Sequence, residues 1–310
     1  MKTHFFSPGK KHFIFIFLFS LLYALWTGMI VGFRADHAFF LILIIFLVIF
    51  HRQTRYFFYC FIFFAIFWII YDSLRVYPNY SFGDVHIAPP YNLEKFLFGI
   101  PSGDDVLTLN EYFRINSNKF LDIISGLFYL TWVPIPMLLA FYFFLTDKKH
   151  LLRYSGAYLF TNIIGFIIYY SYPAAPPWYF DRYGTELILN LPGDPALLNR
   201  FDHWIGWPLF TDMYTKNSNI FAAIPSLHAA YPVVALYYSG IKKMKWTSIL
   251  LAFNVFGIWF AAVYTFHHYL IDILIGLGCA LMAILIYEKW LYPKILTHLY
   301  DKYLQFILKE

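Results

Sequence analysis

Apolar residues fill long stretches of the chain, and polar residues are gathered into the segments between them. A run of about 17–25 apolar residues is long enough to cross a bilayer as a helix. Runs of this kind lie near 13–33, 37–50, 56–74, 120–146, 155–173, 220–240, 247–265 and 267–287, of which the second is the shortest. The pattern predicts an all-α, polytopic membrane helix bundle of about eight spans.

Composition supports a membrane protein and excludes several other classes. Hydrophobic residues make up 60% of the 310 residues, aromatic residues 24% and charged residues only 13%, which is more apolar surface than a soluble domain can bury. The formal charge of +5 does not indicate nucleic acid binding, because the basic residues cluster between the apolar runs. Cys60 and Cys279 each lie within an apolar run, so we expect neither a disulfide nor a cysteine metal site.

Basic residues predict the topology. Lys and Arg number three before the first run, two in 51–55, three in 147–153, three in 241–245 and four after residue 287, whereas the alternate short connections hold few. Basic loops stay on the cytoplasmic side, so eight spans with both ends in the cytoplasm are expected. The first run is too long for a signal peptide and is interpreted as a retained helix.

Two short motifs carry the candidate chemistry. His268 and Asp272 are four residues apart, so on a helix the carboxylate can orient the imidazole and leave its other nitrogen free to attack or to move protons. Pro225 is typical of a first helical turn, and it would place Ser226 and His228 beside free backbone amides. The predicted topology brings both histidines to the same depth on the non-cytoplasmic side. The combination favours a site for an anionic group, most simply a phosphate.

Other interpretations of these residues remain open. A histidine in a membrane protein often has a packing role, and a membrane-embedded aspartate can serve ion transport. Two long polar segments, 75–119 and 174–219, lie on the side predicted for the histidines and could cover the site. Within the first, the residues after Pro89 and Pro90 predict a short interfacial helix.

A larger set of motifs resembles the type 2 phosphatidic acid phosphatase superfamily, and within it the inositol phosphorylceramide synthases, the fungal targets of aureobasidin. The likeness runs from about residue 175 to 276. It comprises PPWY at 176–179, YG at 183–184, PG at 192–193, Arg200 with Asp202, KNS at 216–218, PSLH at 225–228, and HHY at 267–269 with Asp272. The resemblance implies a six-helix core and histidine phosphotransfer.

The sequence departs from the phosphatases of that superfamily at two motifs. Those enzymes carry Lys-x6-Arg-Pro, which is absent here, and a Ser-Arg pair where this chain has Ala261 and Ala262. A phosphomonoester dianion needs several fixed cations, whereas a phosphodiester carries one charge and needs fewer. The departure therefore favours a diester substrate, although Lys216, Arg182 or Arg200 could replace the missing cations.

The resemblance also implies roles for individual residues. His268 would attack phosphatidylinositol, Asp272 would hold its ring, and His228 would protonate the departing diacylglycerol before activating the hydroxyl of ceramide. Amides near Ser226 and at the start of the last predicted span, together with Lys216, would hold the phosphoryl oxygens. Arg200 and Arg182 are further candidates for substrate binding. Neither a metal nor another cofactor is required by this chemistry.

The implied organisation is a single integral membrane domain over 1–310. It would contain two accessory helices in 1–55, the six-helix catalytic core in 56–290 and a cytoplasmic tail in 291–310. The site would face away from the cytoplasm, in a bacterial inner membrane or, in a eukaryote, the Golgi. The sequence is also compatible with two alternatives: a lipid phosphatase acting on phosphatidylinositol phosphate or phosphatidylglycerol phosphate, and a non-enzymatic lipid transporter. Other head-group donors and protein partners are left open.

Overall fold

The computed structural model describes residues 9–215 and 219–308 and is almost entirely helical. In chain order its helices are α1 (Lys10–Trp26), α2 (Ala35–Phe50), α3 (Arg52–Cys60), α4 (Ile62–Ser73), α5 (Ala88–Phe98), α6 (Leu109–Ile115), α7 (Lys119–Leu130), α8 (Pro134–Thr146), α9 (Lys148–Ser171), α10 (Pro177–Tyr183), α11 (Asn199–Ile205), α12 (Leu209–Tyr214), α13 (Leu227–Ile241), α14 (Lys245–Tyr264), α15 (Leu270–Ile286) and α16 (Thr297–Leu308). One antiparallel hairpin, β1 (Ile100–Ser102) and β2 (Asp105–Leu107), lies between α5 and α6. The predicted all-α membrane fold is confirmed.

Five continuous helical segments are long and apolar enough to cross a bilayer. They are Lys10–Val31, Lys119–Thr146, Lys148–Ser171, Lys245–Tyr264 and Leu270–Leu308. A sixth span is formed if α3 and α4, which meet at an angle of 58°, are counted together. The other two predicted runs contain shorter helices, α2 with 16 residues and α13 with 15.

The chain forms two compact units. The first comprises the described parts of Met1–Tyr77, Ala140–Leu159 and Glu288–Glu310. Its centre is aromatic: the hydroxyl of Tyr59 lies 2.9 Å from Nδ1 of His12, and the Tyr59 carbonyl accepts a hydrogen bond from Tyr303. The predicted cytoplasmic tail falls in this unit, where α16 accounts for most of it.

The second unit comprises Pro78–Leu139 and Phe160–Tyr287 and holds both histidine motifs. Helix α13 lies at its centre and packs against α14 and α15, while α14 also packs against α7. On α14 the two faces differ. Ala261 and Ala262 are fully buried, whereas Leu250, Phe253 and Phe256 are at least 67% exposed. An exposed apolar stripe on a long apolar helix is what a lipid-facing surface requires.

Helix α5 is the short helix predicted after Pro89 and Pro90. Prolines suit its first turn, because the amide that proline lacks has no partner there. The helix exposes Leu93, Phe96 and Leu97 and fully buries Glu94. Its apolar side chains therefore face outward and its carboxylate faces into the unit, the reverse of a soluble amphipathic helix.

Candidate active site

The two histidine motifs meet where the start of α13 lies beside the turn that precedes α15. Nδ1 of His228 lies 3.3 Å from Nε2 of His268, although the residues are 40 positions apart in the sequence. His268 is 5% exposed, and His228 is partly buried. Two imidazole nitrogens at this distance can act on the same phosphoryl group.

Asp272 lies behind His268, on the side away from His228. Its Oδ2 is 3.4 Å from Nδ1 of His268 and accepts a 2.9 Å hydrogen bond from the Tyr269 amide. The carboxylate is fully buried. The 3.4 Å separation is longer than a strong hydrogen bond, as is common for catalytic contacts before substrate binds. The pair still has the arrangement in which a carboxylate selects the imidazole tautomer.

Main-chain contacts lock the two motifs together. The Ser226 amide donates a 3.0 Å hydrogen bond to the carbonyl of Asp272. Gly276, one turn further along α15, lies so close to Ser226 that a Cβ there would collide with the Ser226 carbonyl oxygen. The spacing of the histidines is thus fixed by backbone approaching backbone.

The turn from α14 into the site is held by hydrogen bonds on both sides. Phe266 has a φ of 63°, and the amides of His267 and His268 both donate to the carbonyl of Ala262 at 3.1 Å. Asn110, which is fully buried, donates through Nδ2 to the carbonyls of Val263 and His268 at 2.8 and 3.0 Å. Asn110 was not predicted as a site residue, since no local pattern in the sequence distinguishes it.

Tyr129 and Tyr214 extend the polar cluster beyond the histidines. The hydroxyl of Tyr129 lies 3.3 Å from Nδ1 of His228 and accepts a 2.9 Å hydrogen bond from Tyr214. The ring of Trp132 packs edge-on against His228 at 4.6 Å between centroids, and His267 packs against both tyrosines. Neither tyrosine was predicted as a site residue, because no sequence pattern distinguishes them among the 27 tyrosines of the chain.

Glu94, on α5, binds the start of α15 beside the histidines. Its two carboxylate oxygens accept hydrogen bonds of 3.1 Å from the amides of Leu270 and Ile271, the first residues of α15. Burial is the main cause that raises the pKa of this carboxyl to about 7; the two amide hydrogen bonds oppose the rise, and the nearby carboxylate of Asp272 contributes to it. The amides at the start of this helix were expected to hold substrate oxygens, and in this structure Glu94 binds those of Leu270 and Ile271.

Ser226 has a structural role in the conformation seen here. It follows the cis Ile224–Pro225 peptide bond and caps α13, since its hydroxyl accepts a hydrogen bond from the Ala229 amide at 3.3 Å. The amides of Leu227 and His228 belong to the first turn of α13, where amides have no partner within the helix. Ser226 itself is fully buried.

Arg200 lies beside a buried carboxylate. Its Nη1 is 3.7 Å from Oδ1 of Asp122, which also accepts a 2.7 Å hydrogen bond from the Tyr264 hydroxyl. Asp202, its neighbour in the motif, instead caps α12 by accepting from the amides of Phe210 and Thr211. Arg200 is thus positioned by Asp122 and not by Asp202.

Arg182, a second candidate cation, is not in contact with the histidines. Arg182 forms an ion pair with Asp194, and within 9–215 and 219–308 no contact joins it to His228 or His268. Lys216 lies outside the described residues.

A separate cluster in the first unit could offer metal ligands. Asp36, His37 and Asp72 present ligand atoms within 4.8 Å of one another. Arg34 forms ion pairs with both carboxylates, at 3.0 and 2.6 Å, so a metal ion would have to compete with its guanidinium. The histidine site itself contains no comparable group among the residues described.

A polytopic helical fold that brings two histidines and an aspartate together is that of a membrane-embedded phosphotransfer enzyme. The family model of the PAP2 superfamily matches residues 106–286, which is more than half of the chain. This protein therefore belongs to the PAP2 superfamily, and the resemblance expected from its motifs is confirmed.

Several proteins similar to this chain are sphingolipid synthases. The chain is 42% identical over 306 residues to a phosphoinositol dihydroceramide synthase of Bacteroides thetaiotaomicron, covering 97% of this chain and 99% of that protein. It is 29% identical over 182 residues to the inositol phosphorylceramide synthase of Candida albicans, covering 56% of this chain and 38% of that protein. For the inositol phosphorylceramide synthase catalytic subunit of Saccharomyces cerevisiae the identity is 28% over 206 residues, covering 64% and 49%. No solved structure is significantly similar to this chain.

Proposed function

We propose that this protein is an inositol phosphorylceramide synthase, which transfers phosphoinositol from phosphatidylinositol to a ceramide and releases diacylglycerol. The observation that carries the proposal is the match along nearly the full length of both chains to a phosphoinositol dihydroceramide synthase. The paired histidines supply the chemistry that such a transfer needs. The name of that relative favours a dihydroceramide as the acceptor.

The first half-reaction uses His268 as the nucleophile. Because the carboxylate of Asp272 faces Nδ1 of His268 at 3.4 Å, we assign the ring proton to Nδ1 and the lone pair to Nε2, the atom that faces His228. Nε2 attacks phosphorus, the bond from phosphorus to the diacylglycerol oxygen breaks, and protonated His228 gives its proton to that oxygen. Attack and departure are in line, so the two rings must separate from their 3.3 Å contact as the phosphoryl group enters.

The second half-reaction reverses the role of His228. Now neutral, it accepts the proton of the ceramide hydroxyl, whose oxygen attacks the phosphohistidine. The phosphorus–nitrogen bond breaks, and both histidines return to their starting states. The amides of Leu227 and His228 are the donors best placed for the phosphoryl oxygens, since Glu94 occupies those of α15.

The charge of the site supports a phosphodiester substrate. Ala261 and Ala262 stand where the related phosphatases carry a serine and an arginine, and both are fully buried in the core of the second unit. The Ala262 carbonyl is bound by two amides of the catalytic turn. Arg200 pairs with the buried Asp122, which also accepts a hydrogen bond from Tyr264 at the end of α14, and we propose that Arg200 assists substrate binding. Arg182 and Lys216 are the other substrate-binding cations of the proposal.

We further propose that both ends of the chain are cytoplasmic and that the site opens on the opposite face of a bacterial inner membrane, or of the Golgi in a eukaryote. The count of basic residues in alternate loops supports this orientation. The proposed catalytic core is 56–290, preceded by two accessory helices.

The test uses protein purified in detergent and phosphatidylinositol labelled in its inositol, with and without dihydroceramide. We expect labelled inositol phosphorylceramide from the wild type only when the acceptor is present. His268→Ala should lower the rate by about 100-fold or more, because it removes the nucleophile. His298→Ala, which changes an exposed histidine of α16, is the matched control and should keep the wild-type rate.

Each other outcome identifies a different activity. Release of inositol phosphate at the same rate without acceptor would show a hydrolase. Intact phosphatidylinositol, with phosphate released from a phosphomonoester lipid, would show a phosphatase. No turnover of any of these lipids by the wild type would favour a transporter.

A further inference from the structure

The carboxylate of Glu94 makes an unusual contact for a residue on a surface helix. It is fully buried and accepts hydrogen bonds from Leu270 and Ile271 at 3.1 Å each. These amides are 176 and 177 residues away along the chain. A buried carboxylate is costly unless it is bound in this way, so the contact holds α5 and the start of α15 together.

A second carboxylate completes the cap. Asp272 accepts a hydrogen bond from the Tyr269 amide, so the amides of Tyr269, Leu270 and Ile271 are all bound to protein carboxylates. The positive end of a helix normally attracts anions such as phosphate. At α15 the protein supplies that negative charge itself.

This cap adjoins the nucleophile. His268 is the second residue before Leu270, and its own carbonyl is held by Asn110. Any rotation of the first turn of α15 would move His268 and Asp272 relative to His228. The accuracy of the catalytic geometry thus depends on what fixes this turn.

We propose that Glu94 is a positioning residue for phosphotransfer, whose ionised carboxylate holds the first turn of α15 so that His268 and Asp272 face His228. The proposal rests on the proposed function, since it assigns a role within the same reaction. Glu94 does not touch the reacting atoms, and it acts through the backbone of α15.

The role proposed for Glu94 predicts a particular dependence of kcat on pH. The titratable groups that face it are Asp272 and Tyr269 on the side of α15, with Tyr91 and Glu111 close to Tyr269. A protonated carboxyl is a weaker acceptor than a carboxylate, above all at its hydroxyl oxygen, so it holds two amides less strongly. Because the pKa of Glu94 is about 7, the cap weakens as the pH falls through that value, and kcat should fall with it.

The experiment compares the pH profiles of kcat for the wild type, Glu94→Gln and Glu94→Asp, following consumption of labelled phosphatidylinositol. Glu94→Gln should lower kcat by about 10- to 100-fold with KM changed by less than about threefold, because misplacement of the catalytic groups slows the chemical step more than it weakens binding. Its profile should lose the acid limb near pH 7. Glu94→Asp, which keeps the charge with a shorter reach, should give an intermediate kcat and retain that limb.

Glu111→Gln is the matched control, since Glu111 accepts hydrogen bonds from the Thr108 amide and Tyr91 and caps α6 in the same segment. It should keep the wild-type shape of the profile. Equal kcat and equal pH profiles for Glu94→Gln and wild type would overturn the proposal. If Glu94→Gln does not elute as a folded protein in detergent, the profile of Glu94→Asp decides, and a wild-type kcat would be the contrary result. A wild type that consumes no phosphatidylinositol refutes the proposed function, and this role is then refuted with it.

Discussion

At the scale of single residues, the site depends on hydroxyl and amide groups that surround the two histidines. Tyr129 is fully buried, and its hydroxyl lies 3.3 Å from Nδ1 of His228 while accepting a hydrogen bond from Tyr214. A buried hydroxyl beside an imidazole orients the ring. This contact favours the ring position from which His228 can serve as acid and then as base.

Tyr129→Phe should therefore reduce activity without abolishing it. Loss of one hydrogen bond of about 1 kcal/mol corresponds to a decrease of about fivefold in kcat. Initial rates of phosphatidylinositol consumption measure this effect. Tyr303→Phe removes a hydroxyl that is bound to the Tyr59 carbonyl in the other unit, and it should leave the rate unchanged. Equal rates for Tyr129→Phe and the wild type would show that the hydroxyl does not assist His228.

The residues that were predictable from the sequence are those whose relation is local. His268 and Asp272 are four residues apart and their side chains meet as that spacing predicts, although His268 lies just before α15 and not within it. Ser226 caps α13, whereas the prediction that Pro225 belongs to the first helical turn is wrong, because Pro225 precedes the cap residue. Spacing thus predicted the proximity, and the resemblance implied the chemistry. Asn110 meets the site across 158 residues of sequence, Glu94 across 176 and Tyr129 across 99. No periodicity connects positions so far apart, which is why only the folded chain identifies them.

At the scale of elements, the contact between α15 and the Ser226 turn determines the catalytic spacing. Gly276 permits it, because a side chain at this position would collide with the Ser226 carbonyl oxygen. Gly278 lies on the same helix, and a Cβ there would have no neighbour within 4 Å. Substitutions at the two glycines therefore distinguish the effect of the close approach at Gly276 from the general effect of adding a side chain to α15.

Gly276→Ala should lower both activity and stability. A forced separation of main chains costs about 1–3 kcal/mol, and a shift of the histidines slows transfer by about 10-fold or more. Thermal unfolding in detergent and the transfer assay report the two effects. Gly278→Ala should be neutral or stabilising by up to about 1 kcal/mol, since alanine is the better helix former. If both substitutions behave alike, the close approach at Gly276 is not what sets the spacing.

Helix lengths explain where hydrophobic runs and spans differ. The predicted run at 220–240 contains α13, but the helix begins only at Leu227. The preceding apolar residues form a non-helical segment in which the Ala223 amide donates to the carbonyl of Ala174. Hydropathy identified the apolar stretch correctly. It could not show that one end of that stretch is used to build the site.

At the scale of the whole molecule, orientation follows from charge. Basic residues are concentrated in alternate loops, which predicts that the segment 174–219 and the loop 241–245 lie on opposite faces of the membrane. Both native cysteines, Cys60 and Cys279, are buried and should react slowly with polar reagents.

Single cysteines placed in exposed loop positions test this orientation. Glu186→Cys should react with a membrane-impermeant maleimide in intact bacterial cells, whereas Lys243→Cys should react only after the membrane is permeabilised. Both side chains are exposed, so a difference in labelling reports sidedness. The opposite pattern would place the site on the cytoplasmic face, and labelling of both in intact cells would contradict the predicted number of spans between them.

The direct contact between the Ser226 turn and Gly276 has a consequence for sequence divergence. Since main chain meets main chain there, this contact does not depend on the size or shape of the apolar side chains on the outside of the bundle. Residues such as Leu250 and Phe253, which point outward from α14, are then free to change as lipid composition changes. Homologues adapted to very different bilayers should therefore differ in their lipid-facing residues and keep the same distance between the two histidines.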